Sequence, residues 1–138
     1  MFNVLSDINW LALVAGFAAF AVLGGLWFAV LFTKPYNRSL GRAEDAPPVR
    51  SPLFAAGPPL CSLAITVTTV VLIEALGISS PGDAAVLALI AGIGYLAATT
   101  TMIAINPNFP HPLRYALISG GYNVAGVLAA AVIYTALA

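Results

Sequence analysis

Four long apolar stretches, separated by short polar or proline-rich ones, organise this chain. They run roughly from Asn9 to Phe32, Leu53 to Leu76, Pro81 to Ile105 and Leu113 to Leu137. Each is about 24 residues, or ~36 Å of α-helix at ~1.5 Å per residue, enough to cross a ~30 Å hydrocarbon core with some tilt. Charge within them is limited to Glu74, Asp83 and Arg114, each near a span end. In hydrocarbon every backbone N–H and C=O needs a partner inside the protein, so only helices and closed barrels span a bilayer. Runs such as Ala12–Ala19 and Val86–Ala91 lack the alternation of barrel strands. The pattern predicts an all-α integral membrane protein, with four antiparallel transmembrane helices in one bundle and a single domain over residues 1–138.

The connections sharpen this picture. Thr33 to Pro52 holds Lys34, Arg38, Arg42 and Arg50 with Glu44, Asp45, Pro47 and Pro48, and reads as an interfacial stretch followed by an extended linker. Gly77 to Ser80 is a tight turn. Ser80-Pro81-Gly82-Asp83 then reads as a helix start, with Ser as N-cap, Pro at the first helical position and Asp returning at the third. Pro107, Pro110 and Pro112 fill the third connection, and Pro107 stops the third helix. Gly57-Pro58-Pro59 either bends the second helix or delays its start. The residues before the first span, Met1 to Asn9, contain no Lys or Arg, unlike the basic flank of a signal peptide, so the first span reads as a retained helix.

Counting charges orients the bundle. With four spans the first and third connections share a side, and they hold all five basic residues. The opposite side has none and carries Asp7 and Asp83. The positive-inside rule then places the basic connections in the cytoplasm and both termini outside it, in a cytoplasmic membrane.

Composition removes whole classes of function. The 138 residues are 61% hydrophobic and 7% charged, where soluble domains carry about 45–50% and about 25%. Zero net charge gives nucleic acid no electrostatic hold. One cysteine, Cys61, and one histidine, His111, cannot make a disulfide or the usual zinc clusters. No nucleophile triad or phosphate-cradling loop can be assembled. The expectation is a non-enzymatic protein with no cofactor and no metal.

Several side chains stand out against this apolar ground. Glu74, one turn from a span end, reads either as an interfacial carboxylate or as an ion- or proton-binding group. Ser62, Thr66 and Thr69 share one helical face, as do Tyr95, Thr99, Met102 and Asn106. Such hydroxyls either glue helices together or line a polar path. Asn123 lies near mid-membrane and shares its face with Ser119, Gly126, Ala130 and Tyr134. With Thr66, Thr69 and Thr99 it is expected to form a polar cluster, either a closed hydrogen-bonded knot or the floor of a pocket. Ala21-Gly25-Ala29 and Gly121-Ala125-Ala129 are small-residue ridges that permit close helix approach and favour a homo-oligomer through the first and fourth spans. Trp10, Trp27, Tyr36 and Tyr115 read as interfacial anchors.

The ends of the chain carry a resemblance. Ile8-Asn9-Trp10-Leu11-Ala12, Gly24-Gly25-Leu26-Trp27-Phe28, Lys34 to Gly41 and Ile118-Ser-Gly-Gly-Tyr-Asn-Val-Ala-Gly126 resemble a bacterial family of small membrane proteins, catalogued as domain of unknown function 1761. The match covers about 35 residues at the start and about 20 at the end, while the middle helices match in hydrophobicity alone. It implies a four-helix bacterial membrane protein and supplies no mechanism. Two functions fit the residues: a structural or accessory subunit, associating with copies of itself or other membrane subunits among lipids, and a small channel or transporter lined by the Thr stripes and Asn123.

Overall fold

The computed structural model describes residues 3–138, whose regular secondary structure is all α- or π-helical. Met1 and Phe2, part of the segment compared above with a signal peptide, lie outside the described residues. Five helices follow in order: α1 Trp10–Leu31, α2 Thr33–Ser39, α3 Pro52–Leu76, α4 Pro81–Ala104 and α5 Pro112–Leu137. Four of them, α1, α3, α4 and α5, are 22 to 26 residues long and apolar enough to cross a membrane. The polar segment after the first span begins with the seven-residue α2 and continues without regular structure to Ser51.

The helix ends are written in local chemistry. Asn9 caps α1 by accepting from the Ala12 N–H at 3.1 Å. Ser80 caps α4: its Oγ accepts from the Asp83 N–H at 3.0 Å and donates to the Asp83 carboxylate at 2.8 Å, as the Ser-Pro-Gly-Asp string predicts. At the end of α3, Gly77 takes a left-handed φ of 66°, which glycine adopts without Cβ strain. The Gly77 and Ile78 N–H groups then satisfy the Glu74 and Ile73 carbonyls.

Two interior features depart from regular helix. Trp27–Leu31 in α1 and Gly92–Ala97 in α4 are π-helical turns, each inserting the equivalent of an extra residue. Pro58 and Pro59 lie inside α3, six and seven residues past its first residue, so the Gly-Pro-Pro string does not delay the start of this helix. The start is set upstream by Ser51, whose Oγ accepts from the Leu53 N–H, and by Pro52 at the first helical position.

α5 is the central element: half of its most apolar window is buried, against 11–28% for the other three spans. Its contacts with α1 run in reverse order, Gly16 against Ala130, Phe20 against Gly126, Gly24 against Tyr122 and Trp27 against Ile118. With α3 it runs in the same direction. Two side-chain bonds, Ser62–Tyr122 and Glu74–Tyr134, join residues separated by the same 60 positions. In lipid there is little hydrophobic drive between helices, so close packing must supply the association. Accordingly, the α1–α5 seam is built where glycine lets the partner approach. A Cβ at Gly16 would stand 2.8 Å from the Ala130 carbonyl oxygen, and at Gly24 2.8 Å from the Tyr122 hydroxyl.

Candidate functional site

Polar side chains between the spans form three separate nodes rather than one cluster. At mid-bundle Asn123 donates through Nδ2 to the Thr100 hydroxyl at 3.0 Å, and that hydroxyl donates to the Leu96 carbonyl at 2.8 Å. At the same depth, one residue earlier on α5, the Tyr122 hydroxyl meets that of Ser62 on α3 at 3.2 Å. At the end away from the basic residues Tyr134 donates to Glu74 Oε1 and accepts the Asn9 backbone N–H at 3.3 Å, and the Asn9 side chain reaches the Leu137 carbonyl at 3.4 Å.

The expected group of Thr66, Thr69, Thr99 and Asn123 therefore does not converge. Thr66 and Thr69 are buried and face inward, but each hydroxyl donates to its own helix, at Ser62 and Ile65, both at 2.8 Å. Thr99 is exposed on the outer face of α4, and Thr100 takes its place opposite Asn123. The π turn is the cause. Thr99 lies seven residues after the buried Gly92, about two turns of regular helix, so an unbroken helix would carry both on one face. One inserted residue shifts the phase by about 100° and brings Thr100 and Ala104 inward instead. The same shift turns Met102, which shares the expected stripe with Thr99, outward to 70% exposure, and Tyr95, inside the π turn itself, is 74% exposed.

Glu74 is half-buried, and its partner Tyr134 has no exposed surface. Of the small-residue ridges, Gly25 and Ala29 are exposed and nothing stands within 4 Å of a Cβ at Gly25, while Ala21 is half-buried. Gly121 and Ala125 line an open groove of about 710 Å³ between α4 and α5, with Gly120, Val124, Leu128 and Ala97. Ala129 is half-buried one turn further on. The groove residues come from α4 and α5 and not from α1, so the two ridges do not form one surface. Cys61 is exposed on α3, and His111 is exposed before α5. Among the described residues no three His, Cys, Asp or Glu side chains gather as metal ligands do.

Aromatic rings tie the basic end together. Tyr122 packs against Phe20, Trp27 and Phe28 with centroids 5.1–6.4 Å apart, and Phe28, Tyr36, Tyr115 and Phe109 continue the series into the loops. Trp27 and Tyr36 are half-buried, and Trp27 also donates its indole N–H to the Ile118 carbonyl at 3.0 Å, joining α1 to α5. Trp10, by contrast, is 55% exposed. Burial, and then the neighbouring Tyr115, push the Tyr36 phenol above its ordinary value, against a smaller lowering by Arg42. In the adjoining loop Arg38 pairs with Glu44, and Arg42 folds back onto Asn37 and the Pro47 carbonyl.

Tyr122, Tyr134 and Thr100 are the side chains whose bonding roles sequence reasoning missed. A signal for the two tyrosines exists: each stands as far past the proline that opens its helix as its partner on α3 does, 10 residues for Ser62 and Tyr122 and 22 for Glu74 and Tyr134. It becomes legible once α3 and α5 are known to be neighbours.

Four helices long and apolar enough to cross a membrane, held by small-residue seams and isolated polar bonds, are the pattern of a multi-span helical membrane protein. The particular family follows from comparison. The family described as "Protein of unknown function (DUF1761)" matches residues 11–135, and the chain belongs to it. No curated protein and no solved structure matches the chain significantly.

Proposed function

We propose that this chain is a non-enzymatic structural subunit of a bacterial cytoplasmic membrane. In this reading the four spans form an antiparallel bundle with the basic connections in the cytoplasm and both termini outside, as the distribution of Lys and Arg supports. The subunit associates with copies of itself, alone or within a larger membrane complex. The groove between α4 and α5 carries the reading. It is floored by Gly120, Gly121 and Ala125 and flanked by Leu113, Leu117 and Leu128, and its one hydroxyl, Thr101, donates to the Ala97 carbonyl of its own helix. A small-residue floor with a leucine rim and no free polar group suits the close approach of an apolar helix.

Native mass spectrometry from membranes tests this. Wild type should release as an oligomer, and Ala125→Trp, which fills the groove, should release as a folded monomer. If wild type is monomeric, or if Gly25→Leu on α1 breaks the oligomer while Ala125→Trp does not, the groove is not the contact. A small channel or transporter is the second reading, favoured by one observation: a carboxylate, Glu74, bonded across α3 and α5 inside an apolar bundle. The Thr66 and Thr69 hydroxyls support it little, since they bond to their own helix. Ion or solute flux in proteoliposomes separates the two.

A further inference from the structure

Of the five carboxyls in the chain, Glu74 alone is held by a side chain from another spanning helix. Asp7, Asp45 and Asp83 are exposed, and Glu44 pairs with Arg38 in the loop. Tyr134, from α5 and without exposed surface, donates its one hydroxyl proton to Glu74 Oε1, while the Asn9 N–H at the start of α1 donates to the phenol oxygen. The series Asn9 N–H, Tyr134 O–H, Glu74 Oε1 thus has a fixed direction. Oε2 takes no part in it. Every fully buried side-chain oxygen among the described residues has a partner, so Oε2 reaches the protein surface.

Among the described residues no cationic side chain answers this carboxylate. All Lys, Arg and His residues belong to the segments 34–50 and 111–114, at the other end of the bundle. Among the described residues, the titratable side chains at this end of the packed helices are Tyr134 itself, Asp83 on α4 and Asp7 before α1. Asp83 accepts from Ser80 and Asp7 from Ser6. A metal ion needs several oxygen donors, about six or more for calcium or magnesium, where this site offers one free oxygen. A proton needs one.

We propose that Glu74 is an exchangeable proton-binding site. Oε2 gains an O–H bond and the carboxylate becomes neutral, while Oε1 keeps its bond from Tyr134. The two protonation states share one geometry, so neutralisation removes the uncompensated charge of the α3–α5 seam without unfastening it. The inference stands apart from the oligomer reading, because every group it uses belongs to one copy of the chain.

A lipid-soluble carbodiimide tests it. The reagent adds a protonated carboxyl across its N=C=N unit and rearranges to a stable N-acylurea with no leaving group, so the adduct adds the whole reagent mass. Protein in phosphatidylcholine vesicles is treated with dicyclohexylcarbodiimide at pH 5 and pH 8, then digested and mapped. The expected result is one adduct on the Glu74 peptide, more abundant at pH 5, lowered at least 10-fold in Glu74→Gln and unchanged in Ala125→Trp. Glutamine keeps an oxygen for Tyr134, and the wild-type peptide map locates the adduct even if that variant folds poorly. An unlabelled Glu74 in folded protein at pH 5 overturns the proposal. So does protection by sodium at constant pH, which would mark a metal-ion site instead.

Discussion

Adding one methyl group at Gly126 tests whether the first and last spans are held by close packing. The Phe20 ring, which has no exposed surface, lies over Gly126. A Cβ there would stand 2.6 Å from Cζ and closer still to Cδ2 and Cε2. The ring has little room to retreat, since it packs on Tyr122 at 5.3 Å, and Tyr122 is bonded to Ser62 and pressed against Gly24. Overpacking of this kind costs about 1–3 kcal/mol, and a trapped ring sets the value near the top, about 3. Replacing glycine by alanine inside a helix returns about 1 kcal/mol of propensity. The net loss for Gly126→Ala is about 2 kcal/mol, a ~30-fold shift toward the unfolded form. Unfolding in mixed detergent micelles with increasing dodecyl sulfate, followed by circular dichroism, reads it directly. Gly25→Ala, with open space around its Cβ, should be neutral or slightly stabilising. Adding Phe20→Leu to Gly126→Ala should recover part of the loss, because neighbouring substitutions couple. A Gly126→Ala protein as stable as wild type, or two losses that simply add, would show that Phe20 and Gly126 are not in close packing.

Other perturbations follow from the same geometry. Thr100→Val should lower stability in the micelle assay while Thr99→Val leaves it unchanged, and the reverse order would refute the phase assigned to the π turn in α4. Asn123→Leu should lower stability by about 0.6–2 kcal/mol, the worth of an interhelical hydrogen bond in lipid, with no change if Asn123 faces lipid. Gly16→Ala should destabilise, because its Cβ would meet the Ala130 backbone and no side chain can move to make room. Burial penalises the Tyr36 phenolate, so folding favours its protonated form. Stability should fall as pH rises above the ordinary tyrosine range, and the absorbance titration difference between wild type and Tyr36→Phe should place the Tyr36 step above free tyrosine.

Much of the fold was legible without coordinates. The four spans, the Ser80 cap, the stop at Pro107 and the segregation of every basic residue to one end are consequences of local chemistry. Backbone hydrogen bonding in hydrocarbon admits few alternatives, so apolar length alone locates the helices. Glu74 was also visible as the ionisable residue that a span had to accommodate. The family could be read from the motifs at the two ends, and it covers residues 11–135.

What tertiary structure decided is which faces meet. Depth in the bundle groups Thr99 with Asn123, and in an unbroken helix Thr99 would share the buried face of Gly92. The π turn at Gly92–Ala97 shifts the phase, and such a turn depends on packing: Gly92 is pressed against Val124 and Val127 of α5. The buried hydroxyl stripe of α3 was located correctly, yet Thr66 and Thr69 bond inward to their own helix, a choice of rotamer that no spacing encodes. The tyrosines that complete the Ser62 and Glu74 nodes needed the pairing of α3 with α5, spans separated in sequence by a whole further helix. Sequence sets the depth of each polar group through its distance from the helix end. Its neighbour depends on how all four helices rotate about their axes, and that rotation is settled jointly by contacts such as Phe20 on Gly126 and Gly16 on Ala130.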